Sequence, residues 1–150
     1  MSPFFQFESD FVDSLRCIPM IVRFKLDTCG VKLKLHQWNK LTESDRQTAV
    51  ELPCTTAEEI RNYHDFLHEL IKERTGETAA DLAIDHNPAW NDASTVPESV
   101  TAKAQEMGIT ITPAQWQSLT PIQRFVLIKL SRSSHENANF LPAVKEFQLV

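Results

Sequence analysis

His64 and His68, in the stretch YHDFLHE, stand four residues apart. That spacing puts two imidazoles on one face of a helix, where they could share a metal ion. The stretch is not HExxH, and no third ligand falls within one turn. A solvated pair at the rim of an apolar helix face is therefore the preferred reading. Cys54, in ELPCTTAEE, precedes a helix start, where the helix dipole could lower its pKa. No base is positioned by the sequence to use it, so a structural role is expected, as it is for Cys17 and Cys29 in apolar helical stretches. SRSSHENANF, residues 131–140, gathers Arg132, His135, Glu136, Asn137 and Asn139. Acid, base and amide together permit an enzyme reading, but helix capping and partner contact are preferred. Asp81, Asp85 and Asn87 lack the glycine and terminal glutamate of an EF-hand loop.

These residues must be carried by helices. Thr56 and Glu59 form a capping box that opens a helix over 57–75, with Ile60, Tyr63, Leu67, Leu70, Ile71 and Arg74 on one face and Gly76 at its end. Pro19 starts PMIVRFKLDTC, which Gly30 stops. Thr42 and Asp45 open a helix to about Leu52, and Pro97 opens one to Met107. Thr120 and Pro121 start PIQRFVLIKLSR, whose FVLI run marks a buried central helix, and Asn139 to Phe147 makes the last. A short helix is expected over 9–16. VKLKL, 31–35, alternates like a strand, but the matching ITIT, 109–112, has no third segment to pair with, and two isolated strands are marginal, so the strand reading is not preferred. Residues 77–96 read as a long polar connector, with at most one short helix at 79–84.

Composition narrows the functional classes. The 150 residues carry a net charge of −5, which argues against a nucleic-acid binder. Glu8 and Asp10 interrupt any apolar run after Met1, so no signal peptide is expected. No run is long enough for a membrane span. Three cysteines leave one unpaired under any scheme, which fits a reducing, cytoplasmic setting. The chain has three glycines, each placed as a helix stop, so none remains for a phosphate-binding loop or a dinucleotide fingerprint.

The segment GVKLKLHQWNKLTESDR returns 78 positions later as GITITPAQWQSLTPIQR. At that offset the identities include Pro19/Pro97, Val22/Val100, Lys25/Lys103, Gly30/Gly108, Gln37/Gln115, Trp38/Trp116, Leu41/Leu119, Thr42/Thr120, Arg46/Arg124 and Leu52/Leu130. Prolines at helix starts, glycines at stops and threonines at caps recur among them, which points to a duplicated helical unit. Trp38 and Trp116 are expected to plug the joint between paired helices. Arg46 and Arg124 would stack on the indole or bind the turn's carbonyls. A pair of symmetric ligand sites is the competing reading. The fold expected is all-α: a single compact helical domain, 1–150, built from units at about 19–75 and 97–148.

FFQFESDFVDSLRCIPMIVRFKLDTCGVKLKL, ELPCTTAEEI, NPAW and LTPIQRFVLIKLSRSSHENANFLPAVKEF together resemble the cyanobacterial nitrate reductase-associated proteins, the NarM-like family, over nearly the whole chain. The resemblance implies a non-catalytic, cytoplasmic accessory protein for assimilatory nitrate reductase. Its implied partners are the nitrate reductase catalytic polypeptide and molybdenum-cofactor synthesis or insertion proteins. It transfers no catalytic, cofactor or metal residues, and no bound cofactor is expected. Trp90, Arg132, His135, Glu136 and Asn137 are the expected partner surface, since exposed aromatics and polar loops favour interfaces. The alternatives are a small metal- or cofactor-handling protein using His64, His68 or Cys54, and a sensor of nitrogen metabolites.

Overall fold

Helix starts and stops fall where the caps place them. The computed structural model describes residues 4–9, 17–132 and 139–150, and helices dominate among them. In chain order the elements are α1 (Met20–Cys29), β1 (Val31–Lys32), α2 (Leu35–Lys40), α3 (Glu43–Glu51), α4 (Ala57–Thr75), β2 (Ala80–Asp81), α5 (Glu98–Glu106), α6 (Pro113–Ser118), α7 (Pro121–Arg132) and α8 (Phe140–Glu146). Short 3-10 turns occupy Gln6–Glu8 and Ala89–Asn91. The helix expected over 9–16 falls largely outside the described residues.

Two compact units emerge, one reaching to Asp85 and the other starting at His86, with Phe5–Phe7 joining the second. In the first, α1 packs on α4, and Val22, Leu26, Trp38, Ala49, Val50, Tyr63, Leu67 and Ile71 form the core. Thr56 accepts a hydrogen bond from the Glu59 amide, while Glu59 accepts from the Thr56 amide, so the capping box starts α4 as the sequence predicts. Gly76 ends it in the left-handed conformation. A less visible cap serves α1. The Pro19 ring carries no hydrogen-bond acceptor, and the buried Glu8 carboxylate accepts from the Met20 amide at 3.1 Å instead. Lys25 is also buried, and its ammonium donates to the Val50 and Leu52 carbonyls at 2.6 Å each, closing the end of α3. Burial holds its pKa below the ordinary lysine value.

The second unit centres on α7, where Phe125, Val126, Leu127, Ile128 and Leu130 are all buried, as the FVLI run predicts. It packs against α5, α8 and the 3-10 turn at Ala89–Asn91. Phe5 stacks on Phe7 at 5.6 Å and meets the Phe147 ring edge-on at 5.5 Å.

Two expectations need correction. VKLKL does find a strand partner: Val31 and Lys32 pair antiparallel with Asp81 and Ala80. The short helix expected at 79–84 gives way to that same ladder. The partner was hidden because it lies beyond α4, and the ladder survives at two residues because Val31 is buried in the core. Gly30 extends it, its carbonyl accepting from the Leu82 amide at 2.8 Å.

Candidate functional site

The ladder decides what faces the α4 histidines. One turn of helix separates His64 from His68 on the same face, and their rings lie 4.3 Å apart between centroids. β2 brings the Asp81 carboxylate across to meet them. The same oxygen, Oδ1, is 2.9 Å from His64 Nε2 and 2.8 Å from His68 Nε2. On its other side His64 Nδ1 lies 3.2 Å from Asp65 Oδ1. The histidine side chains are 30% and 25% exposed and Asp81 is 65% exposed, so the cluster opens to solvent while its floor is fixed by helix and strand. Asp81, thirteen residues past His68 in the chain, is brought to this face by the fold and not by any local spacing.

The electrostatics follow from these contacts. Burial pulls the His64 pKa down, but the hydrogen bonds to Asp81 and Asp65 outweigh it and leave the imidazole more basic than usual. Hydrogen bonds from His64 and His68 hold the Asp81 carboxyl below its ordinary range. Among the described residues, His64, His68 and Asp81 form a group whose ligand atoms all lie within 4.8 Å of one another. His36, with its Nε2 3.0 Å from Glu77 Oε1, forms a simpler exposed pair elsewhere in the unit.

Cys54 does not have the environment of a reactive thiol. It is buried, its Sγ donates to the Lys25 carbonyl at 3.8 Å, and burial pushes its pKa up to about 11 against the opposing pull of Lys25. Burial, with a contribution from Cys54, raises Cys29 further, to about 12. The proximity of a helix start is outweighed by loss of solvent.

The two tryptophan segments carry matching local bonds. Trp38 and Trp116 are both fully buried. Arg46 Nε donates to the Trp38 carbonyl at 3.1 Å, and Arg124 Nε to the Trp116 carbonyl at 3.0 Å. The Arg46 guanidinium also lies 5.8 Å from the Trp38 ring centroid. Gln37 accepts from the Lys34 amide, and Gln115 accepts from the Thr112 amide three residues back. Gly30 and Gly108 both take positive φ. The Lys25/Lys103 match diverges, since Lys103 pairs with Glu106 at 3.3 Å. Neither indole opens into a polar cleft.

Of the expected partner surface, Trp90 is half-buried, its ring edge-on to Phe125 at 5.1 Å and its carbonyl held by Arg124 at 3.0 Å. Arg132 is exposed in the last turn of α7. His135, Glu136 and Asn137 lie outside the described residues. No helix among the described residues is long and apolar enough to cross a membrane.

Comparison with known proteins gives one finding. The model of a family described as conserved nitrate reductase-associated protein matches residues 4–147. No curated protein matches the chain significantly, and no solved structure does.

Proposed function

The chain belongs to the family of conserved nitrate reductase-associated proteins, and from that membership we propose that it is a non-catalytic, cytoplasmic accessory protein that binds the nitrate reductase polypeptide. Binding supports the maturation, stability or activity of that enzyme. The observation that carries the reading is the match to that family over residues 4–147. Selective recognition of a cofactor-free form of nitrate reductase would hold that form open for molybdopterin insertion, a population shift set by differential affinity. Molybdenum-cofactor insertion proteins are then natural further partners. Trp90, Arg132 and the adjoining 133–139 segment form the contact surface in this proposal.

A pulldown with cofactor-free and cofactor-loaded nitrate reductase tests it. Preferential retention of the cofactor-free enzyme is the expected result, reduced by Arg132→Glu, which reverses an exposed charge without touching the core. Equal retention of both forms makes the protein a subunit in place of a maturation factor. Retention of neither removes the proposal.

A further inference from the structure

We propose that His64, His68 and Asp81 form a binding site for a single divalent transition-metal ion of the zinc class, with Asp65 orienting one of the ligands. Two imidazole nitrogens and one carboxylate oxygen are three protein ligands suited to a borderline ion. They leave at least one coordination position open to water or to a ligand from outside, on the solvent side of the cluster. The inference is independent of any nitrate reductase partner.

Three observations carry it. First, both Nε2 atoms converge on one carboxylate oxygen, at 2.9 and 2.8 Å. Ligands at about 2.0–2.1 Å from a tetrahedral ion lie roughly 3.3 Å apart. The half-ångström opening this requires is within reach of a carboxylate that is 65% exposed. Second, Asp65 stands 3.2 Å from His64 Nδ1, the carboxylate–histidine arrangement that fixes the tautomer and leaves Nε2 with its lone pair for a metal. Without metal, a protonated His64 can donate to both carboxylates; an ion taking the place of the Nε2 proton, between His64 and Asp81, keeps the Nδ1 contact to Asp65 intact. Third, the ligands sit on fixed elements. The histidines are one turn apart in a 19-residue helix, and Asp81 is paired with Val31 in the ladder.

The test uses the full, tag-free chain stripped with chelator. Zn²⁺ is titrated in competition with a chromophoric chelator, and Co²⁺ is added separately for its absorption spectrum. The wild type is expected to take up one equivalent of zinc, raising its thermal midpoint, and to give a Co²⁺ spectrum without thiolate charge-transfer absorption. His68→Gln and Asp81→Asn are expected to lose saturable uptake, while His36→Gln keeps it. Asp65→Asn is expected to weaken binding about tenfold. Metal-free circular dichroism and melting establish that each variant folds, and His64→Gln replaces any that does not. Three results would each overturn the proposal: no stoichiometric uptake by the wild type, uptake unchanged in folded His68→Gln and Asp81→Asn, or a thiolate–cobalt band.

Discussion

Arg124 shows how much one side chain can organise. Its guanidinium, nearly out of solvent, donates to the carbonyls of Trp116, Trp90, Gln117 and Leu119 at 2.6–3.2 Å. Arg46 occupies the matching place and donates to two, Trp38 and Asn39, from a more exposed position. Arg124→Met should therefore cost about 3 kcal/mol and Arg46→Met about 1 kcal/mol in urea unfolding, because the first leaves buried carbonyls without donors and the second lets water replace them. Lysine should rescue neither fully, since it lacks the planar fork. Equal costs for the two methionine variants would refute the distinction. Both arginines were legible in the sequence, eight residues past each tryptophan, as groups that would stack on the indole or bind the turn's carbonyls. Asp81 was not. Its relation to His64 and His68 depends on strand pairing across the whole of α4, which no local spacing records. The buried capping carboxylate of Glu8 was missed for the same reason: in the chain it is only a charge interrupting an apolar stretch.

At the scale of elements, the β1–β2 ladder matters beyond its two residue pairs because it seats Asp81 over α4. Gly30 is its hinge. It has φ of +78°, and a Cβ there would lie 2.7 Å from Ile84 Cγ1 and 2.9 Å from the Leu82 carbonyl oxygen. Gly76 has φ of +76° with nothing near it. Gly30→Ala should thus cost about 2–3 kcal/mol and Gly76→Ala about 1 kcal/mol, measured by urea denaturation, since only the first adds a backbone clash to the conformational strain. Gly30→Ala should also weaken zinc uptake by shifting Asp81. The helices themselves were readable because their boundaries are written in local chemistry: threonine caps, prolines before the first turn, glycines after the last. The ladder escaped because alternation in VKLKL names no partner, and a polar connector gives no sign that two of its residues will pair.

For the whole molecule, several surface carboxylates share one consequence for acid stability. The hydrogen bond from Arg74 holds Asp45 below its ordinary pKa, the Thr56 and Thr55 amides do so for Glu59, His36 and Gln37 for Glu77, and Ser94 for Asp92. A depressed folded-state pKa gives stability that is present above the unfolded value and disappears as pH falls through the folded one. The urea midpoint should therefore drop steeply below about pH 4. Asp45→Asn, less stable at neutral pH, should show a shallower drop; an unchanged slope would dismiss the Asp45–Arg74 contribution. Net charge was visible in composition at this scale and the helical class in caps and periodicity, whereas the grouping of the chain into two units is a property of contacts that neither carries. The paired arginines also bear on biosynthesis. Each lies downstream of a six-residue helix too short to persist alone in water. A ribosome therefore releases the indole before the guanidinium that secures it, and each tryptophan wedge can lock only once its arginine has cleared the exit tunnel.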